Sequence, residues 1–334
     1  MTSAARSVAL ERLGYTPRQA RFLTLAALHG GYFVRRQYVA FTGGQHGVAA
    51  VGFISRVLER GHVAVVEAPV MGRVYHVGYK PLYAALGDVD NRNRRIHSAA
   101  SIRRRLMALD YVLAHQEDVF VVTERDQVAF FVNEHYIPRS SLPSTPYTST
   151  DGRSTTTRYF VEKLPIARRA TAVVFVYIDD DDATIGGFAT FLERHRALLL
   201  TLRVPAHVEF VTTVPRHVTR AEACFEQRLG TGAVRRPLSL GTLGAYVLAR
   251  MRLEEGRLAG TSQHELDALR RDLAAVPSAT GDAVYRRWAT DGAAALDAWV
   301  RDQHVTTPLG VVTFSGYLLP HSYGLKPGVR SYHG

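Results

Sequence analysis

Across residues 16–79 the spacing of apolar positions changes from helical to strand-like. From Thr16 onward, Phe22, Leu23, Ala26 and Ala27 recur at helical spacing. Thr16-Pro17-Arg18-Gln19 is a helix start: the Thr hydroxyl can cap, Pro at the first helical position lacks an N–H that would be orphaned anyway, and Gln19 can close a capping box. Gly30-Gly31 ends this helix near His29. A second helix is predicted over Val34–Phe41, then a tight turn at Thr42-Gly43-Gly44. A third is predicted over Gln45–Arg60, with Val48, Val51, Ile54, Val57 and Leu58 as its apolar stripe and Gly61 after it. Val63–Glu67 and Val74–Tyr79 then read as the two arms of a hairpin with a Pro/Gly tip. Three helices followed by a hairpin is the order of a winged helix, predicted over residues 1–90.

The pattern beyond it is more mixed. Asn91–Arg95 is polar and basic and reads as a linker or the entry to another helix. Ser98–His115 is helical, with Ile102, Leu106, Leu109, Val112 and Leu113 on its apolar face. Val119–Thr123 suits a strand and Glu124–Asn133 a short helix, which makes 91–137 a helical connector. Residues 138–157 are rich in Ser, Thr and Pro and are expected to be a loop. An α/β segment is predicted over 158–235. It comprises strands at Arg158–Leu164, Ala172–Ile178 and His207–Thr213, and helices at Thr184–Arg203 and Thr219–Leu229, the last with a capping box of Thr219 and Glu222. Residues 236–308 should be helical, over Leu240–Arg257, Ser262–Val276 and Thr280–His304, and 309–334 an extended tail. The fold class expected is α/β (α+β): an N-terminal winged helix, a small mixed α/β domain and a helical C-terminal region.

Charge adds a functional direction. The chain of 334 residues carries a net charge of +11, and residues 1–115 hold 16 Lys/Arg against 6 Asp/Glu, so nearly all the excess lies in the first third. A concentrated positive field attracts polyanions and releases their counterions. The plainer account is solubility. An acidic membrane surface would need a basic amphipathic helix with aromatic anchors, which the sequence lacks. Arg35, Arg36, Gln45, His46, Arg56, Arg60 and Arg73 are polar residues on the predicted helices and hairpin, with Gln45, His46 and Arg56 expected near bases and Arg35, Arg36 and Arg73 near phosphates. Arg103, Arg104 and Arg105 are consecutive on one helix and cannot all face one partner. Arg104 is the one assigned to a phosphate, and each arginine has solvation of a helix face as its alternative role. Double-stranded DNA is the partner expected, with a homodimer as a further possibility and no membrane.

Candidate chemistry is sparse. Asp179–Asp182 follows a buried strand and Glu162 stands on the strand before it, which suggests a Mg-dependent nuclease with Glu162, Asp179 and Asp180 as ligands on a degenerate restriction-endonuclease-like core. The acid-x-lysine element of such sites is broken, because Lys163 follows Glu162 directly. The competing account is an acidic loop whose aspartates cap the next helix. There is no P-loop, no Gly-x-Ser-x-Gly elbow and no paired histidine motif, and one cysteine, Cys224, cannot build a thiolate metal site. No cofactor and no metal are expected. The chain has no apolar run of 18 residues and no apolar leader, so a cytoplasmic, nucleoid-associated protein is expected.

Four stretches carry a family likeness: Thr16-Pro-Arg-Gln with Leu23-Thr-Leu-Ala-Ala-Leu-His-Gly-Gly-Tyr-Phe33, Val57-Leu-Glu-Arg-Gly-His62, Val74-Tyr-His-Val-Gly-Tyr-Lys80, and Phe175-Val-Tyr-Ile-Asp179 with Phe188-x-x-Phe-Leu192. They resemble winged-helix proteins of the replication-relaxation type, found on plasmids and integrative elements. The resemblance implies DNA binding in replication initiation, transfer or transcriptional control, and it transfers no catalytic residue. A protein-interaction scaffold using the same helices is the remaining alternative.

Overall fold

The computed structural model describes residues 3–43, 47–68, 71–149, 154–179, 185–229, 240–256, 261–274, 276, 278–305 and 312–323. The chain forms two compact units, one of residues 1–198, 206–231 and 313–334, the other of 199–205 and 232–312.

In the first unit, α1 (Ser3–Glu11) precedes α2 (Pro17–His29), whose Thr16 cap and Gln19 close the capping box expected. A short strand, β1 (Tyr32–Val34), leads into α3 (Arg35–Phe41) and α4 (Gly47–Glu59). Then β2 (Val63–Ala68) and β3 (Gly72–Val77) pair antiparallel, with Val63 opposite Val77 and Ala68 opposite Gly72, and β1 joins the far side of β3. The sequence reading missed β1, because three residues are too few to show a period. Gly61, at φ +65°, closes α4 in a Schellman arrangement: His62 N–H donates to Val57 O and Gly61 N–H to Leu58 O. The core of this module is aromatic. Phe22 meets Phe33, Tyr38 and Phe53 edge-on, and Tyr38 stacks on Phe53 at 4.1 Å.

The apolar stripe assigned to α4 needs correction. Ala50, Phe53, Ile54 and Val57 are buried, whereas Val48 and Val51 are 89% and 50% exposed. The helix carries two apolar stripes, and Phe53, which fills the core, sets its rotation.

After α5 (Lys80–Ala85), Asn91–Arg95 is not a solvated linker. Asn91 and Asn93 are buried around a 3-10 turn, Arg92–Arg94. The Asn93 side-chain amide donates to Ala27 O and Leu28 O, the last carbonyls of α2, and its Oδ1 accepts from Arg105 at 2.6 Å. Helix α6 (Ala99–Ala114) follows its Ser98 cap. It is a core element rather than a connector: Ile102, Leu106, Met107, Tyr111 and Val112 pack in one cluster with Tyr32, Val34 and Val74 of the helical module and with Val174, Val176 and Val211 of the large sheet.

That sheet is five-stranded and mixed. Its members are β4 (Val119–Phe120), β7 (Ile166–Arg169), β8 (Ala172–Ile178), β9 (Ala206–Thr212) and β10 (Val312–Leu318), in the order β10-β9-β8-β7-β4. The pairs β4–β7 and β7–β8 are antiparallel, and β8–β9 is parallel. Thr313 lies by Ala206 and Leu319 by Thr212, so β10 runs with β9. The tail is thus partly a strand of the sheet. Helix α7 (Glu124–Ala129) continues in a π-turn to Glu134. The Ser/Thr/Pro-rich stretch is not simply a loop: β5 (Ser144–Thr148) and β6 (Thr155–Tyr159) pair antiparallel within it. Threonine and tyrosine favour that extended backbone despite their polar dress. No strand runs over Arg158–Leu164: β6 ends at Tyr159, and Phe160 and Lys163 have positive φ in the turn before β7.

Helix α8 (Gly186–Thr201) buries Phe188, Phe191, Leu192, His195, Leu198 and Leu199, as expected. Helix α9 (Pro215–Leu229) starts earlier than expected, with Pro215 in its first turn, so Thr219 and Glu222 lie inside the helix and form no cap.

The second unit contains α10 (Leu240–Glu254), α11 (Gln263–Ala274), α12 (Ser278–Asp291) and α13 (Ala293–Val305) around Leu243, Tyr246, Val247, Val276, Val284 and Leu296. Where one helix was expected over Thr280–His304 there are two, broken at Gly292 (φ +68°). The whole is an α+β protein. No helix among the described residues is long and apolar enough to cross a membrane.

Candidate nucleic-acid interface

The exposed residues of α4 are Gly47, Val48, Ala49, Val51, Gly52, Ser55, Arg56 and Glu59. Small side chains dominate this face, and no acid appears before Glu59. Arg35, exposed at the start of α3, donates to Gly47 O at 3.2 Å and so stands at the entry to α4. Gln45 and His46 lie outside the described residues.

A groove beside this helical module is lined by Val34, Arg35, Met71, Arg73, Tyr75 and His321, with Arg36 and Tyr323 among its other residues. Arg73 is exposed on β3, directly across the hairpin from Glu67. Arg36 is differently placed from Arg35. It donates to Asp110 at 2.8 Å and to the Tyr323 hydroxyl, and its guanidinium lies over the Tyr323 ring. Gln37 joins the same cluster through Asp110 and Leu106 O. Arg36 therefore ties α3 to α6 and to the segment after β10.

Arg56 and Arg60 lie away from that groove. Arg56 donates to Gln19 at 3.1 Å, and Arg60 donates to Leu13 O at 2.7 Å and covers the Tyr15 ring. Both guanidinia remain exposed, but Arg60 also fastens the α1–α2 turn to α4. Arg104 is half-buried on α6 and does not line the groove. The predicted cations thus fall into a groove set (Arg35, Arg73, with Arg36 engaged beneath), a set at the end of α4, and Arg104 apart.

Of the acidic trio, Glu162 and Asp179 have different partners. Glu162 sits in the turn before β7 and pairs with Arg194 at 2.7 Å. Asp180 lies outside the described residues. Asp179 is buried at the end of β8, where its Oδ2 accepts from Thr212 Oγ1 at 2.9 Å and lies 2.7 Å from His217 Nδ1. Among the described residues no group of three or more His, Cys, Asp or Glu could hold a metal ion. Glu162 and Asp179 are therefore separate features, each with its own partner.

Two residues bear on this unit in ways that the sequence did not reveal. Lys163 Nζ donates to Asn91 Oδ1 at 2.7 Å, and burial pushes its pKa down to about 8. His321, from the tail, reaches the groove. Neither had a local signal, because each depends on chain segments far apart in sequence. Compared with known proteins, the chain matches no family model, no curated protein and no solved structure.

Proposed function

We propose that the module of α2–α4 and the β2–β3 hairpin is a winged helix that binds double-stranded DNA, with α4 in the major groove and Arg35 and Arg73 on flanking phosphates. The observation that carries this reading is the outward face of α4: small, free of acid before Glu59, and bordered by exposed arginines. Val48, Ala49 and Val51 suit contact with thymine methyl groups, and Ser55 and Arg56 supply polar contacts to base edges. The excess of basic residues in the first third supplies the sequence-independent part of the affinity. The resemblance noted above would set this binding in the replication or transfer of a mobile element.

Fluorescence anisotropy with a labelled duplex tests the reading. Affinity should fall as salt rises, and Arg35→Ala with Arg73→Ala should reduce the slope of log K against log salt by about 1 per arginine. Val48→Glu should abolish binding, because it sets a carboxylate against the duplex while disturbing no buried contact. Absence of duplex affinity at low salt would overturn the proposal. The exposure of Val48 and Val51 favours one other reading, a protein partner seated on α4. A salt-insensitive complex lost in Val48→Glu would establish that instead.

A further inference from the structure

The carboxyl ends of β8 and β9 hold a second arrangement, separate from the arginine groove. Asp179 follows β8 directly, and its backbone N–H donates to Val211 O of β9 at 2.8 Å. One oxygen of its buried carboxylate, Oδ2, both accepts from the Thr212 hydroxyl and faces His217 Nδ1. Pro215 opens α9, which places His217 in the first turn and Arg220 three residues on, on the same helical face. Tyr177, Asp179, His217 and Arg220 line one pocket, with Phe188 and Phe210 as its apolar wall.

The chemistry of each group follows from its partners. A carboxylate only accepts, so the imidazole proton resides on Nδ1 and Nε2 is the working end of the ring. Among the described residues Nε2 has no partner, and the side chain keeps 12% of its surface exposed. Arg220 is exposed and forms no ion pair among the described residues. An arginine and an imidazole held by a buried carboxylate thus line one pocket. Such a pair matches an oxyanion with several acceptors. Parallel strands also gather ligand groups at their carboxyl ends.

We propose that Asp179, His217 and Arg220 form a phosphate-binding site, in which Arg220 and His217 Nε2 contact the phosphate oxygens and Asp179 positions the imidazole. The site is distinct from the proposed DNA contacts on α4 and β3. A phosphate could arrive as a free ion, as a terminal monoester or as an internal diester, and all three present the same oxygens.

The test is an NMR titration of the histidine ring resonances in the full chain, using inorganic phosphate, phenyl phosphate and dimethyl phosphate as probes and acetate as the comparison. Saturable movement of the His217 resonances by a phosphate probe, weakened at least tenfold in Arg220→Gln, is expected. Arg216→Gln, exposed on the same turn but outside the pocket, should leave it unchanged. Movement by phenyl phosphate assigns a terminal phosphate, and movement by dimethyl phosphate an internal one. Arg220→Gln should also retain duplex affinity, so a failure of the DNA reading and a failure of this one are distinguishable. His217→Asn removes a ligand group but risks loosening α9, so Arg220→Gln, at an exposed position, is the deciding variant. No movement with any phosphate probe, equal movement with acetate, or wild-type affinity in Arg220→Gln would overturn the proposal and leave the Asp179–His217 contact as a tether between α9 and the sheet.

Discussion

Asn93 shows how much one side chain can hold in place. The C-terminus of α2 is buried, so its last carbonyls need donors from elsewhere. Asn93 supplies two and Tyr83 a third, while Arg105 caps Gly30 O. Among the described residues Arg105 pairs with no carboxylate. Its charge is solvated by the Gly30 and Asn93 oxygens at the negative end of α2, where a cation is favourable. Asn93→Ala should therefore destabilise the protein by about 2 kcal/mol in chemical denaturation, since Leu28 O loses this donor, Ala27 O is left to Tyr83 alone and the Arg105 guanidinium loses one of its acceptors. A loss below about 1 kcal/mol would mean that water replaces the amide. None of this was legible in the sequence, where Asn-Arg-Asn-Arg-Arg looks solvated. The two carbonyls it serves lie more than 60 residues back, and a polar run with distant partners has the same appearance as one without. The Asp179–His217 pair was hidden for the same reason, being 38 residues apart.

At the level of elements, local signals served well and non-local ones did not. The Thr16 capping box, the Gly61 stop and the apolar run of β8 each encode their outcome within a few residues. Strands β1, β7 and β10 are short or plain in sequence and exist because of the neighbours they pair with. Helix α4 is the instructive middle case. Two apolar stripes satisfied the helical period, and only the shape of the core selects Ala50-Phe53-Ile54-Val57. Two glycines that end helices also differ in a way that sequence does not reveal. Gly61 and Gly31 both have positive φ, but a Cβ on Gly61 would meet nothing within 4 Å, whereas on Gly31 it would come within 2.5 Å of Asn93 O. Gly61→Ala should cost about 1 kcal/mol, the conformational penalty alone. Gly31→Ala should cost at least about 3 kcal/mol, since the backbone of the 3-10 turn must also move. Equal losses in paired thermal or urea melts would contradict this account.

For the molecule as a whole, buried imidazoles set the response to acid. His29 packs edge-on to Phe120, and burial holds its pKa down to about 3. His195, within α8 against Phe175 and Phe191, is held down to about 4. Both values lie below the ordinary 6.5, so the unfolded chain takes up protons first as pH falls. The stability these residues contribute is complete above about pH 6.5 and is lost progressively toward pH 4, by about 1.4 kcal/mol per pH unit for each residue. Urea midpoints should accordingly drop between pH 7.5 and 5.5, and the drop should be smaller in His195→Leu; a flat profile would refute the assignment. Connectivity has a consequence of another kind. Most of the second unit lies in sequence between α9 and β10, so the large sheet receives its last strand only after some eighty intervening residues. During synthesis β9, which is buried along nearly its full length in the finished sheet, is an open sheet edge until residues 313–319 leave the ribosome. A chain cut short before that point is expected to self-associate through β9. The helical insertion, rather than either end of the chain, therefore sets how long the nascent protein stays vulnerable to aggregation.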